Sequence, residues 1–206
     1  MALSATDAGR ERSRRGRPGY DSAKVLDVAV RLFIEKGYDA TSVADLAERL
    51  GVTKSAVYHH FDSKEQLLGL ALDEALTGLE GALEHALANS PSASERFADV
   101  IRGAVSVLIE KLPYVTLLLR VRGNSPVEVA ALERRRLFDA QVTDVVRTAQ
   151  SQGHLRDDLD AAVATRLIFG MINSLTEWYR PGGTLDAEAM AATVLATAMS
   201  GLRAPS

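Results

Sequence analysis

The chain has no cysteine. That excludes a disulfide scaffold, a thiol nucleophile and any thiolate-ligated zinc or iron–sulfur site. Long apolar runs are missing too. The stretch Val105–Val121, VSVLIEKLPYVTLLLRV, is broken by Glu110, Lys111 and Pro113, short of the ~20 residues a membrane span needs. The first residues carry charge with no apolar core behind them, so no signal peptide is expected. The expectation is a soluble, cytoplasmic chain with no membrane partner. Strand-like alternation is nearly absent. No nucleophile elbow, Gly-rich phosphate loop or HExxH is present. His59 and His60 lack a partner acid or third ligand, and His85 and His154 stand alone. No enzyme activity, no cofactor and no metal is therefore expected.

The 206 residues are 47% hydrophobic and 25% charged, which is ordinary globular composition for one large or two small domains. The net charge of −3 by itself argues against a nucleic-acid partner. Its distribution argues otherwise. Residues 1–60 carry ten Lys/Arg against eight Asp/Glu, net +2, and Arg10–Arg17 alone carries five Arg against one Glu, net +4. A local basic arm matters more to a phosphate backbone than total charge does.

Helix start and stop signals recur along the chain. Asp21 or Ser22 can cap a first helix, with Val25, Ala29, Leu32 and Phe33 on one face and Gly37 at its end. Ser42-Val43-Ala44-Asp45 resembles a capping box, and Gly51 ends that short helix. Thr53 can cap the next, which is expected to run to about His60. Ser63-Lys64-Glu65-Gln66 opens a long helix. Ser90-Pro91 places proline at a helix start, Pro113 interrupts that helix, and Ser125-Pro126-Val127-Glu128 opens another. Asp158 or Asp160 starts a helix with Val163, Leu167, Met171, Leu175 and Trp178 along one stripe. Pro181-Gly182-Gly183 ends it, and Thr184 starts the last. The fold class is all-α, with about nine helices. The expected divisions are a flexible basic arm at 1–18, a three-helix unit at 19–79 and a larger helical unit at 80–206. The long helix from Ser63 belongs to both larger units.

The segment Thr41–Phe61, TSVADLAERLGVTKSAVYHHF, sets two short helices around a glycine turn. That is helix-turn-helix spacing, with the motif at 42–61. Val43, Leu46, Ala47, Leu50, Val52, Ala56 and Val57 supply the apolar contacts. Thr53, Lys54, Ser55, Tyr58 and His59 are left outward, each able to donate to a phosphate or a base edge. A helix pair joined at glycine also occurs as plain packing.

The flanks extend the pattern. Ala29–Leu68, AVRLFIEKGYDATSVADLAERLGVTKSAVYHHFDSKEQLL, resembles the DNA-binding domain of the TetR family of transcriptional regulators. The resemblance implies a homodimeric regulator, most simply a repressor of a palindromic double-stranded operator, released by a small hydrophobic or anionic effector. An activator, an effector-independent regulator and a helical protein-interaction module are the alternatives. It implies groove contacts from Thr53, Lys54, Ser55, Tyr58 and His59, and phosphate contacts near Thr41, Ser42 and Lys64. Arg-Gly-Arg-Pro, with Arg15 and Arg17, resembles an AT-hook core that enters the minor groove. A basic tail raising non-specific affinity is the other reading.

The second half is less specific. Phe97, Ile101, Tyr114, Leu118, Phe138, Phe169 and Trp178 are candidates to line an effector pocket, although plain core packing explains most of them. Arg120, Arg122 and Asn173 are candidates for its polar end. Glu177–Gly183, EWYRPGG, resembles a segment of TetR regulators of acyl-CoA and aromatic-acid catabolism, which implies an effector of that kind. The last two long helices, rich in alanine, are expected to pair with their symmetry mates.

Overall fold

Local capping chemistry sets the first half of the chain. The computed structural model describes residues 21–202; the basic arm lies outside them. Asp21 caps α1 (Ser22–Lys36) by accepting from the Ala23 N–H. Ser42 accepts from the Asp45 N–H at the start of α2 (Val43–Leu50), and the Asp45 carboxylate accepts from the Ser42 N–H at 2.8 Å. This is a complete capping box, a device of about 1 kcal/mol. Gly51 closes α2 at φ 67°, ψ 33°, a left-handed conformation that a side chain would strain. Thr53 caps α3, which is only Lys54–Tyr58 and stops short of His60. Ser63 caps α4 (Lys64–Asn89), and the Gln66 side chain reaches back to the Asp62 N–H at 2.6 Å.

The rest of the chain forms α5 (Ala93–Glu110), α6 (Leu112–Arg120), α7 (Pro126–Ser151), α8 (Ala161–Trp178) and α9 (Ala187–Leu202). Nine helices and no strand are found among the described residues. Pro126 sits at the start of α7, as expected, and Pro113, expected to interrupt a helix, lies in the first turn of a separate α6. Pro91 does not start α5: Ser92 caps that helix by accepting from the Glu95 N–H. Pro91 lies one residue before the cap. The last helix begins at Ala187 rather than Thr184.

Helix α4 packs on α1 at one end and on α5, α6 and α7 along the rest of its length. Buried Leu67, Ala71 and Ala75 continue into Leu83 and Ala86, so one helix serves both halves. Helices α4 and α5 approach closely at Gly103. A Cβ there would stand 2.7 Å from the Ala82 Cβ. The buried side chains form one continuous core from Val25 to Leu202.

The α8 stripe is split. Leu175 is buried, but Val163 is 51%, Leu167 70% and Trp178 55% exposed. Helical spacing assigns them to one face, and that face points out of the single chain.

Candidate nucleic-acid interface and effector cavity

The head is braced from within. Thr41 is buried, and its hydroxyl donates to the carbonyls of Leu32 and Gly37. It ties the end of α1 to the start of α2. Ser42 is exposed, but its hydroxyl donates to Asp45. Lys36 donates to Asp45 at 2.6 Å, and Arg49 to Glu35 at 2.9 Å. The hydrogen bond from Lys36, then those from Ser42, hold the Asp45 carboxyl well below the usual carboxylate range. These ion pairs are exposed, so they set angles more than they stabilise.

Above these braces α3 presents its polar side. Thr53, Lys54, Ser55, Tyr58 and His59 are all exposed, Tyr58 by 52%. Val57 and Phe61 are buried beneath them. The Thr53 oxygen accepts from the Ala56 N–H, while Lys54, Ser55 and Tyr58 keep their side-chain donors toward solvent. His60, not among the expected groove contacts, is exposed beside His59, with the rings edge-on at 5.5 Å. Lys64 is half-buried. Its ammonium donates to the Tyr38 carbonyl at 2.8 Å and lies 4.2 Å from that ring's centre. Of its three N–H donors, one is engaged in bracing.

The second half contains a cavity of about 200 Å³. Its lining comes from Leu79 of α4, Val115, Leu118 and Leu119 of α6, Arg135, Phe138 and Asp139 of α7, and Thr165, Arg166, Phe169, Gly170 and Asn173 of α8. Phe138 and Phe169 meet edge-to-face at 5.4 Å, a favourable aromatic geometry. Of the residues expected from sequence to line an effector pocket, Leu118, Phe138, Phe169 and Asn173 line this cavity. Two further grooves, of about 230 and 360 Å³, run along α7 and are more open. Their arginines are engaged: Arg96 donates to the Ser90 carbonyl, and Arg134 pairs with Asp73 and Glu80.

Six other expected pocket residues lie elsewhere. Phe97 and Ile101 are fully buried in the core. Trp178 is on the outward side of α8. The Tyr114 hydroxyl donates to Asp27 on α1, and burial followed by that bond pushes its pKa up. Arg120 donates to the Ile34 carbonyl at the end of α1, at 2.6 Å. Arg122 is exposed on the turn after α6. There the buried Glu128 carboxylate accepts from the N–H groups of Arg122, Gly123 and Asn124 at 2.8–3.1 Å. Tyr114 and Arg120 thus hook α6 to α1, while Val115, Leu118 and Leu119 face the cavity.

Arg135, Asp139 and Arg166 were not among the residues expected from sequence. A signal existed: Arg135 and Asp139 sit four apart around Phe138, and Arg166 and Asn173 seven apart around Phe169. These are polar residues at helical spacing on apolar faces. Asp139 is half-buried, and that burial pushes its pKa up while Arg135 and Arg166 pull it down. Among the described residues, neither guanidinium has a hydrogen bond or an ion pair within 4.0 Å. No group of three or more His, Asp or Glu side chains is placed to hold a metal ion among them. No helix there is long and apolar enough to cross a membrane.

Comparison with known proteins adds independent findings. Residues 25–71 match the family described as bacterial regulatory proteins, tetR family. Residues 90–202 match the tetracyclin repressor-like C-terminal domain. The structure of SCO3833, a TetR-family regulator from Streptomyces coelicolor A3, is 47% identical, covers 87% of this chain and 90% of its own, and has a TM-score of 0.80. The HTH-type transcriptional repressor KstR2 of Mycolicibacterium smegmatis is 26% identical over 192 residues, 90% of this chain and 92% of its own. AibR, solved with isovaleryl coenzyme A and operator DNA, is 22% identical with a TM-score of 0.72, covering 85% of this chain and 96% of its own. That likeness is one of fold.

Proposed function

The chain belongs to the TetR family of bacterial transcriptional regulators, and from that membership we propose a non-catalytic, cytoplasmic repressor released from its operator by a small effector. The observation that carries the DNA-binding half is the set of Lys54, Ser55, Tyr58 and His59, exposed together on α3 while α1 and α2 are braced beneath. Thr53 joins them at the helix start. Tyr58 and Lys54 reach base edges or phosphates in the major groove. The exposed start of α2 at Ser42 and the two remaining donors of Lys64 face the backbone phosphates. Arg15 and Arg17 in the arm add a minor-groove contact.

Two heads are needed for a palindromic site. The outward residues Val163, Leu167 and Trp178 on α8, with the small exposed residues Ala192 and Ala196 on α9, form the proposed two-fold interface. An apolar stripe of this kind on a single chain marks an association surface. Closure as a four-helix contact would set the heads about one DNA turn, ~34–36 Å, apart.

Effector response runs through α6. It is bounded by the non-helical Lys111 and the turn at 121–124, so it can shift as a unit. A ligand pressing on Val115, Leu118 and Leu119 moves the hooks Tyr114 and Arg120 on α1. That changes the head spacing and shifts the population away from the DNA-bound form. An acyl-CoA or an aromatic acid is the effector class we favour, because AibR, of the same fold, is solved with isovaleryl coenzyme A and operator DNA.

The test is gel-shift on DNA upstream of the chain's own gene. Lys54→Ala and Tyr58→Ala each abolish the specific shift, while light scattering shows an unchanged dimer. Wild-type affinity in both variants would sink the interface assignment.

A further inference from the structure

The effector cavity encloses about 200 Å³, less than the roughly 300–1,000 Å³ of pockets that enclose a whole small molecule. It has room for the apolar part of a ligand, and the remainder must emerge at its rim. Phe138 and Phe169 supply the apolar floor. Arg135, half-buried on α7, and Arg166, exposed on α8, stand at the rim.

Those two guanidinium groups differ from their neighbours. Arg134, the residue before Arg135, is locked between Asp73 and Glu80. Arg120 and Arg96 are tied to backbone carbonyls. Among the described residues, Arg135 and Arg166 act electrostatically on Asp139 alone, beyond ion-pair distance. With Asp139 ionised, the three groups sum to one net positive charge. A neutral ligand leaves that charge unbalanced, and one anionic group balances it. The Asn173 amide, without a hydrogen bond among the described residues, offers a neutral donor and acceptor beside them.

Resting on the effector role assigned to this cavity, we propose that Arg135 and Arg166 together hold the anionic head of an amphipathic ligand whose apolar tail fills it, and that Asp139 limits how strongly they do so. A guanidinium fork suits a carboxylate or a phosphate equally. The anion is therefore either a free carboxylate or a phosphate of an acyl conjugate.

Calorimetry on the full-length, DNA-free protein with octanoate, octanoyl coenzyme A and 1-octanol separates these sources. At least one anion binds about tenfold more tightly than octanol, as expected for a charge-assisted contact at a partly exposed rim. The anion that gains identifies the head group. Arg135→Gln and Arg166→Gln each weaken that anion by about tenfold and leave octanol unchanged. Asp139→Asn raises the rim charge to two and tightens the anion several-fold. A change in this direction cannot come from misfolding. Equal binding of octanol and both anions, no binding of any probe, or unchanged anion affinity in both arginine variants would overturn the proposal. The underlying effector reading fails separately. If the charge rule holds but the bound anion leaves operator DNA in place on a gel, the site stands and its role as an effector site falls.

Discussion

Substituting Gly103 tests the packing that carries the head. A Cβ at Gly103 would stand 2.7 Å from the Ala82 Cβ and 3.6 Å from the Ala82 Cα. Carbon atoms in contact prefer roughly 3.5–4.0 Å, so Gly103→Ala forces α4 and α5 apart by about 1 Å. Overpacking of this kind costs about 1–3 kcal/mol. Against it stands the better helix propensity of alanine, about 1 kcal/mol over glycine. The net expectation is a loss of roughly 0–2 kcal/mol, from the difference of those two terms. The control is Ala82→Gly, which removes the atom that is struck. In that background Gly103→Ala should gain about 1 kcal/mol, since only propensity remains. The two backgrounds then differ by about 1–3 kcal/mol, a coupling that a double-mutant cycle measures directly. For a chain of this length each 1 kcal/mol moves the melting temperature by about 2–4 °C. The four proteins are compared by thermal and urea unfolding at one protein concentration, because dimerisation makes stability concentration-dependent. If Gly103→Ala is equally stabilising in both backgrounds, α4 and α5 are not in contact there, and the reasoning fails.

Three further outcomes are expected. Deleting residues 1–17, which hold five arginines, weakens operator binding and flattens its salt slope by roughly three to five units, at ~0.9 per neutralised phosphate; an unchanged slope would show that the arm never touches DNA. Leu167→Glu, on a side chain 70% exposed in the single chain, places like charges across the proposed two-fold, so light scattering should report the monomer mass and the gel-shift should weaken; a persistent dimer would remove α8 from the interface. Asp45 is held below its usual range by Lys36 and Ser42, so the stability it confers is complete above about pH 4 and lost as pH falls toward its folded value. Asp45→Asn is therefore less stable than wild type at neutral pH, and the two urea midpoints converge in acid; parallel curves would show that Asp45 is not paired.

The helix-turn-helix is legible in the sequence because its instructions are local. Ser42 finds Asp45 three residues on, Thr53 finds the Ala56 N–H, and Gly51 supplies a turn angle that needs no partner elsewhere. The exposed set on α3 follows from helical spacing alone. Thr41 escapes that logic. Its neighbours in sequence do not reveal that the carbonyls of Leu32 and Gly37 wait beneath it.

Most of the helices, the caps at Ser42, Thr53, Ser63 and Ser125, and the family can be read from the chain alone, since hydrogen bonds three or four residues apart and a dense local motif carry that information. Packing chose which face of each helix lies inside and which arginine is free. Val163, Leu167 and Trp178 share a stripe in either case, and the crossing of α8 with its neighbours is what turns that stripe outward. Arg120 and Arg135 look alike in sequence. One is tied to Ile34, 86 residues away, and the other is left at a cavity rim. The partner of a long side chain is set by which helices pack together, and helical periodicity does not encode that choice.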